Sequence, residues 1–430
     1  MNPARPATLK PRHLRLSDVR GAARLAVAGT QGVTHIAQGV HTTVLRTLGF
    51  PVRTAEGSTS NGLTSFAYGS VRRVAGWVGS GIDLALNQLQ PLLDRAGDAS
   101  PSSPQREAVL AALNGVLGDQ LEATENPLAT PMGLRYQGQA LNFAALKNDP
   151  AISGKIVLFV HGLCMNDLQW RSPATAQDHG SQLADALGYT PVYLRYNSGR
   201  HISANGHSLA LQLQQLVSHW PKPVTELAIV AHSMGGLVVR SACAQAGDAG
   251  TGLPEGWLPY LKKVAFLGTP HHGAPLERAG HGVDLLLGAT RWSAPFAKIG
   301  QLRSAGITDL RHGLLLPQDS AAQDRFAAGV PQQAHVPLPP EVACFAIAAS
   351  TAQLPAGQPR LGDRLRDQWL GDGLVPLPSA LGQHNDPACQ LAFPPAHLAI
   401  EPGMGHLDLL TNARVTQRLL HWFAGPAVKA

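Results

Sequence analysis

Long apolar runs, clustered cysteines and strong charge are all scarce in this sequence of 430 residues. No stretch near the start has the apolar core of a secretory signal, and no apolar run approaches the roughly 20 residues of a membrane-spanning helix. These absences predict a cytoplasmic protein that contacts a membrane only at its surface, if at all. Charged residues make up 14% of the chain and apolar residues 44%, which is typical of a globular protein with a large core.

The cysteines exclude two further classes of protein. Only four are present, they are far apart, and none belongs to a C-x-x-C pair. Neither a zinc site nor a disulfide framework is therefore predicted. Cys243 and Cys344 lie in apolar runs, so we expect them to be buried thiols.

The positive charge is unevenly distributed along the chain. The net charge is +6, and residues 1–100 hold eleven Lys and Arg against five Asp and Glu, which accounts for the whole excess. Because this segment has no run of Lys or Arg, a solvated basic face is favoured over a nucleic-acid site. A face of this kind can also attract an anionic membrane surface.

Residues 1–125 are predicted to form a helical N-terminal region. After a disordered lead over residues 1–14, spaced apolar residues predict helices at Val19–Leu48, Leu63–Leu93 and Gln105–Leu121. This region has no catalytic signature. It could pack on the rest of the chain as a cap, mediate oligomerisation or lie against lipid, and a packed helical extension is the simplest of these interpretations. The sequence does not indicate an oligomeric state.

Residues 126–430 alternate between strand and helix patterns, which predicts a mostly parallel α/β sheet flanked by helices. A long excursion at 274–340 interrupts this alternation, and we expect it to contribute a lid or cap. The predicted strands are 134–137, 155–160, 190–196, 226–231, 263–268, 341–349 and 397–401, and the predicted helices are 177–187, 206–219, 236–246 and 411–423.

One strand-to-helix junction carries the main chemical signal. Residues 226–240 have the sequence ELAIVAHSMGGLVVR: a short apolar strand, a turn around Ser233, and an apolar helix. A nucleophile elbow has this context, with small residues flanking the serine because its backbone is strained. Ala231 and Gly235 occupy those flanking positions. An ordinary Ser/Gly turn between core elements is the alternative.

A serine nucleophile needs a base and an orienting acid. The chain order expected of an elbow enzyme is Ser, then Asp, then His. His406 follows the last strand in a glycine-rich loop and is the predicted base, and Asp372 in a Gly-Asp-Gly-Leu-Val segment is the predicted acid. The rival acids are Asp363, Asp367 and Asp386.

The oxyanion donors are expected in the turn after the first parallel strand. There His161-Gly162 precedes Leu163, whose backbone N–H would pair with that of Met234 to hold an oxyanion. His161 itself is expected to be structural rather than a proton carrier. Other residues near these turns are predicted to border the substrate: His161, Gly162, His232, Asn166, Trp170 and His271. The adjacent His271 and His272 have no further ligands at suitable spacing, so no metal site is predicted.

Five motifs together resemble the lipase and esterase branch of the α/β-hydrolase superfamily. They are His161-Gly162, the Ala-His-Ser-Met-Gly-Gly elbow, Gly-Thr-Pro-His-His-Gly at 268–273, Asp-Gly-Leu-Val at 372–375 and Gly-His-Leu-Asp at 405–408. The resemblance is greatest to bacterial triacylglycerol lipases and GPI-inositol-deacylase-like hydrolases, and it covers about 150–425. The first small residue of the elbow is Ala instead of the usual Gly.

This resemblance implies an α/β-hydrolase fold and a hydrolase that needs no cofactor. It also implies Ser233 as nucleophile, Asp372 as acid, His406 as base, and Leu163 and Met234 as oxyanion donors. In some of these lipases the aspartate of the His-Leu-Asp element binds structural calcium, and Asp408 matches that position without an evident partner loop.

The sequence therefore predicts a serine hydrolase of hydrophobic carboxylic esters, an esterase or lipase. Acyl transfer to another alcohol, or hydrolysis of a thioester or amide, would use the same triad. A catalytically silent hydrolase fold that binds at a membrane is the alternative from outside enzymology.

Overall fold

The structure is a computed structural model, and it describes residues 17–18, 21, 24, 102–171, 178–248, 250, 252–253, 256–273, 304–321, 335–352 and 371–425. The predicted helix Val19–Leu48 lies almost wholly outside these residues, and Leu63–Leu93 lies wholly outside them. The chain divides into two compact units: Met1–Arg106 with Ala123–Leu128, and Glu107–Glu122 with Ala129–Ala430. The predicted domain boundary at residue 125 stays a prediction.

In the first unit, polar contacts connect residues that are distant in sequence. The Arg106 guanidinium donates to both carboxylate oxygens of Asp18 at 2.6 and 2.5 Å. Asn126 Nδ2 donates to the carbonyl of Gly21 at 3.1 Å. A bidentate pair of this kind is stronger than a single charged hydrogen bond.

The second unit is built on an eight-stranded sheet with the strand order β2-β1-β4-β3-β5-β6-β7-β8. β1 runs antiparallel to its neighbours β2 and β4, and all the other neighbouring strands are parallel. The strands are β1 Gly133–Tyr136, β2 Gln139–Ala140, β3 Lys155–Val160, β4 Thr190–Arg195, β5 Glu226–His232, β6 Leu261–Leu267, β7 Ala343–Ser350 and β8 Leu398–Pro402.

Helices lie before, between and after these strands. They are α1 Pro104–Ala123, α2 Phe143–Leu146, α3 His179–Leu187, α4 Ile202–His219, α5 Met234–Ala246, α6 Ala305–His312, α7 Pro317–Ala321, α8 Leu377–Ala380 and α9 Ala413–Ala424. Short 3-10 turns cover Asp167–Trp170, Leu258–Tyr260, Pro387–Cys389, Pro395–His397 and His406–Leu410.

The core consists of two apolar layers, one on each face of the sheet. Along β3, Ile156 and Leu158 belong to one layer, whereas Val157 and Phe159 belong to the other, because successive side chains point to opposite faces. Apolar side chains of α4 and α5 pack in the layer that contains Ile156, and those of α3 and α9 pack in the layer that contains Val157. Both faces are thus covered, which explains why β3 and β5 are continuously apolar. The mostly parallel α/β fold predicted from the sequence is confirmed.

Part of the excursion at 274–340 is fixed to the core. Asp309 of α6 is buried and accepts hydrogen bonds from the backbone N–H of Ile202 at 2.8 Å and from His201 Nδ1 at 3.0 Å. Gly306 donates its N–H to the carbonyl of Gly199 at 3.0 Å. Residues 304–312 therefore pack on the loop that follows β4. Residues 274–303 and 322–334 lie outside the described residues.

Candidate active site

Ser233 lies at the junction of β5 and α5 in a strained backbone conformation. Its φ of 54° and ψ of −129° are unfavourable for a residue with a side chain. The conformation is held by a hydrogen bond from Ser233 N–H to the carbonyl of Leu267 at 2.9 Å. A Cβ on Gly235 would lie 2.5 Å from the carbonyl oxygen of His161, so only glycine permits this close approach of helix and strand. These features are those of a nucleophile elbow.

His406 and Asp372 form a buried pair. His406 Nδ1 lies 2.6 Å from Asp372 Oδ2, and their side chains are 4% and 1% exposed. The other carboxylate oxygen of Asp372 accepts from the N–H groups of Leu374 at 3.0 Å and Val375 at 2.8 Å. The Asp-Gly-Leu-Val segment thus folds back on its own carboxylate, which fixes the orientation of the oxygen that faces the imidazole.

The pair adjoins the elbow through Gly268, the first residue after β6. A Cβ at Gly268 would lie 3.1 Å from both Asp372 Oδ2 and His406 Cε1. Its neighbour Leu267 accepts the N–H of Ser233. The carboxyl end of β6 therefore touches the nucleophile through Leu267 and the acid–base pair through Gly268.

A second connection runs through His232. Its Nε2–H donates to the backbone carbonyl of His406 at 3.0 Å, and the two rings are 4.6 Å apart. His179 of α3 supports the same turn, because its Nε2–H donates to the carbonyl of Leu409 at 3.0 Å. Two buried histidines thus hold the backbone of the segment that carries His406.

The hydrogen bond from Ser233 Oγ to His406 is not formed. Among the described residues, the buried His406 Nε2 has no hydrogen-bond partner. Catalytic hydrogen bonds are often long in unliganded enzymes and tighten only with substrate bound. The free nitrogen is the one that a serine proton would reach.

The predicted oxyanion residues lie beside the elbow. A Cβ on Gly162 would meet Ser233 Cβ at 2.9 Å, so the backbone of the His161-Gly162 turn runs directly past the serine. Leu163 follows this contact and is buried, and Met234 is the first residue of α5. Their role as oxyanion donors stays a prediction.

Two of the predicted substrate residues contact protein groups closely. Asn166 caps the turn Asp167–Trp170 by accepting the N–H of Leu168 at 2.9 Å. Trp170 is fully buried, with its ring 5.0 Å from that of Phe159 and 6.3 Å from that of His232. Contact of either residue with substrate stays a prediction.

His161 and His271 are also buried. The His161 ring stacks on Tyr196 at 4.3 Å, and the Tyr196 hydroxyl donates to the His161 carbonyl at 2.8 Å. His271 packs against Phe266, and its carbonyl accepts from Arg240 at 3.2 Å. Arg240 also donates to the carbonyl of Val336, so it connects the two ends of the excursion to α5.

Burial keeps these histidines neutral. Desolvation lowers the pKa of His161 to about 4 and the pKa values of His232 and His271 well below the usual range. The neighbouring Arg240 guanidinium lowers the pKa of His271 further, and interaction with the adjacent His406 ring does the same for His232. Neutral rings at these positions can donate or accept hydrogen bonds but add no charge beside the site.

Asp386 is the one rival acid that the structure describes, and it makes no contact with His406 there. Asp386 is exposed and accepts the N–H of Ala388 at 2.9 Å, as the cap of a 3-10 turn. Asp363 and Asp367 lie outside the described residues.

The calcium implied by Asp408 has no cluster of ligands here. Asp408 accepts the N–H of Gly405 at 2.8 Å and so closes the turn that begins at His406. No group of three or more His, Cys, Asp or Glu that could hold a metal ion occurs within the described ranges. Of the helices the structure describes, none is long and apolar enough to cross a membrane. Cys243 and Cys344 are buried free thiols, as predicted.

Sequence reasoning assigned no role of their own to two residues that shape the site, although Gly268 belongs to one of the five motifs. Gly268 has a φ of 57° and touches both His406 and Asp372. Arg195 at the end of β4 pairs with Asp167 after the oxyanion turn and with Glu107 of α1. A glycine directly after a parallel strand can be recognised in the sequence as a possible site residue. An ion pair between residues distant in sequence leaves no local pattern that would predict it.

Comparison with known proteins agrees with this fold. Residues 151–336 match the family model of the PGAP1-like alpha/beta domain. This match and the mostly parallel sheet confirm the resemblance to α/β-hydrolases predicted from the motifs. No curated protein matches the sequence.

Solved structures with similarity to the chain include lipases and esterases. The mature lipase BlEst2 of Bacillus licheniformis is 17% identical with a TM-score of 0.38, and the match covers 68% of this chain and 99% of that one. Lipase B of Aspergillus fumigatus is 11% identical at a TM-score of 0.36, covering 69% of this chain and 57% of that one. The esterase Pf2001 of Pyrococcus furiosus is 11% identical with a TM-score of 0.35, and the match covers 63% of this chain and 83% of that one.

Proposed function

We propose that this chain, whose residues 151–336 match the PGAP1-like alpha/beta domain, hydrolyses hydrophobic carboxylic esters through Ser233, His406 and Asp372. The observation that carries the proposal is the buried His406–Asp372 pair, at 2.6 Å, beside a serine on a strained strand-to-helix turn. A buried pair of this kind with a free imidazole nitrogen suits proton transfer from a hydroxyl.

In the first half of the reaction, Ser233 Oγ attacks the ester carbonyl while His406 Nε2 takes its proton. Asp372 accepts from Nδ1–H, which keeps Nε2 free as the base and stabilises the imidazolium that forms. The tetrahedral oxyanion would lie between the backbone N–H groups of Leu163 and Met234. Its collapse breaks the bond to the alcohol, which leaves with the proton from His406, and an acyl-enzyme remains on Ser233.

In the second half, water replaces the alcohol. His406 Nε2 takes a proton from water as its oxygen attacks the acyl-enzyme, and the second tetrahedral intermediate uses the same two N–H groups. Collapse then expels Ser233 Oγ, which recovers its proton from His406. The carboxylic acid is released and the enzyme returns to its starting state.

The test is hydrolysis of p-nitrophenyl esters of increasing acyl length by the wild type and by Ser233→Ala. Ser208→Ala is the matched control, because Ser208 is a half-buried helix residue that bonds only to Ala204 and Arg200 among the described residues. The proposal predicts activity in the wild type and control and at least a 10³-fold loss in Ser233→Ala. The chain-length profile separates esterase from lipase.

Two outcomes redirect the assignment. Acyl transfer from the same esters to an added alcohol, in excess over hydrolysis, would make the protein an acyltransferase that uses the same residues. No activity towards esters, thioesters or amides would favour a silent hydrolase fold with a binding role.

The basic N-terminal segment suggests that the ester is carried by a lipid. Its excess of six positive charges would attract an anionic bilayer, at about 1 kcal/mol for each Lys or Arg near the surface. We therefore expect the full-length chain to float with vesicles that contain phosphatidylserine and not with phosphatidylcholine vesicles. Equal behaviour with both lipids would remove this part of the proposal.

A further inference from the structure

Helix α1 contacts the backbone of the predicted oxyanion turn and not only neighbouring side chains. A Cβ on Gly115 would lie 2.2 Å from Cys164 Sγ and 2.9 Å from both Cys164 Cα and Cys164 N. Cβ atoms in proteins essentially never lie within 3.0 Å of such neighbouring heavy atoms, so only glycine fits at position 115 without a shift of Cys164. The Cys164 thiol also points back at the helix, 3.8 Å from the carbonyl of Ala112.

Cys164 is itself held in an unusual backbone conformation. Its φ is 58°, in the region that favours glycine, and its N–H donates to Ser198 Oγ at 3.0 Å. Leu163 therefore lies between two fixed neighbours. Gly162 is pressed against Ser233 on one side, and Cys164 is pressed against Gly115 on the other.

The same helix holds the next loop along the sheet edge. Asn197 after β4 donates from Nδ2 to the carbonyl of Gly118 at 2.8 Å, and a Cβ on Gly118 would lie 1.8 Å from Asn197 Oδ1. A Cβ on Gly199 would meet the carbonyl oxygen of Asn114 at 2.1 Å. Ser198, which accepts the N–H of Cys164, lies between these two contacts.

A third contact reaches the far end of the oxyanion turn. Glu107 at the start of α1 pairs with Arg195, and Arg195 pairs with Asp167, the first residue of the turn that follows. All three groups are at most 12% exposed. A buried ion pair of this kind adds little net stability, but removal of one partner leaves an uncompensated buried charge.

We propose that residues 107–122 of α1 are a positioning element of the oxyanion hole: through Gly115, Ser198 and the Glu107–Arg195–Asp167 chain they set the place of the Leu163 N–H. The inference rests on the proposed ester hydrolysis. A helix that merely filled the core would pack side chain against side chain, whereas α1 touches the backbone of two loops at the carboxyl ends of β3 and β4.

The direct test is Gly115→Ala, measured on the full-length protein. The added methyl group must push Cys164 and hence Leu163, and displacement of a catalytic group by about 1 Å costs about 10²-fold in rate. We expect kcat to fall by about 100-fold with KM within about threefold of the wild type. Affinity for a trifluoromethyl ketone, whose adduct with Ser233 carries an oxyanion, should fall with kcat.

A purely structural effect would give a different pattern. Alanine is the better helix former, so the substitution does not weaken α1 by itself. A lower melting temperature with unchanged kcat and unchanged ketone affinity overturns the proposal. Gly133→Ala is the matched control, because a Cβ there meets nothing within 4 Å.

Further variants keep the test decisive if Gly115→Ala does not fold. Ser198→Ala removes the acceptor of the Cys164 N–H, and Glu107→Gln weakens the hold on Arg195. Each is expected to lower kcat by about fivefold or more at constant KM, since each affects the loop at one point only. Wild-type kcat in both would overturn the proposal.

A suppressor provides the converse result. Cys164→Gly in the Gly115→Ala background removes the sulfur that lies nearest the new methyl group and suits the φ of 58°. We expect kcat of the double variant to rise at least tenfold above that of Gly115→Ala. No recovery would contradict the proposed action of Gly115 on the Leu163 N–H through Cys164. Failure of the proposed function looks different, because the wild type would then be inactive or Ser233→Ala would remain active.

Discussion

Replacement of Asp372 by asparagine would reverse the roles of the two nitrogens of His406. In the wild type, Oδ1 of Asp372 accepts from Leu374 N–H and Val375 N–H, while Oδ2 faces His406 Nδ1 at 2.6 Å. The two backbone N–H donors require an oxygen at the Oδ1 position, so the NH₂ group of the new amide must face Nδ1. Nδ1 then has to accept, and the hydrogen moves to Nε2.

A His406 that carries its hydrogen on Nε2 cannot take the proton of Ser233. A wrong tautomer of this kind costs about 10⁴-fold in kcat, equivalent to about 5.5 kcal/mol of transition-state stabilisation. The fold should survive, because the asparagine keeps the size of the side chain and both backbone hydrogen bonds.

The assay is kcat for a p-nitrophenyl ester with Asp372→Asn and Asp386→Asn side by side. Asp386 is exposed and only caps a turn, so its variant should keep wild-type activity. Near-ultraviolet circular dichroism and the melting temperature report on the fold. A loss smaller than tenfold in a folded Asp372→Asn would refute the assignment of Asp372 as the orienting acid.

Three further predictions concern stability and the support of the site. The pKa of His161 in the folded state, about 4, lies below its unfolded value, so the unfolded state binds more protons. The contribution of His161 to the free energy of unfolding should be fully present above about pH 6.5 and should fall by up to about 1.4 kcal/mol per pH unit towards pH 4. In urea unfolding experiments, the free energy of unfolding of His161→Asn should therefore depend less steeply on pH than that of the wild type. Ser233→Gly should be more stable than Ser233→Ala by about 1 kcal/mol, because glycine relieves the strain at φ 54°; equal unfolding energies would contradict that strain. His232→Leu should lower kcat at least tenfold at constant KM, since the His406 carbonyl loses its hydrogen-bond donor. His232→Gln, which keeps a donor, should recover part of the rate. Equal rates in the two variants would show that the hydrogen bond from His232 does not position His406.

Much of the sheet could be predicted because its strands are buried on both faces. The bounds predicted for Lys155–Val160 are the observed ones, since every residue after Lys155 is apolar and buried. β7 begins at Ala343 and not at Glu341, whose φ of 60° does not suit a strand. β6 ends at Leu267 because Gly268 turns away with a φ of 57°.

Candidate site residues could be predicted where a short motif follows a strand end. Asp372 and His406 are 34 residues apart, yet each lies in a loop after a strand, and parallel strands bring such loops to one edge. Asn166 shows the limit, because an asparagine near a catalytic turn is equally consistent with a substrate contact and with the cap it makes. Gly115 gave no signal, since its contact with Cys164 joins distant parts of the chain.

Covalent labelling is the most direct way to identify Ser233 as the nucleophile. A fluorophosphonate should add once per chain, and peptide mass spectrometry should place the adduct on Ser233. Labelling should vanish in Ser233→Ala and slow markedly in Asp372→Asn, while Ser208→Ala should label like the wild type. An adduct on another residue, or equal labelling of Ser233→Ala, would show that Ser233 is not the nucleophile.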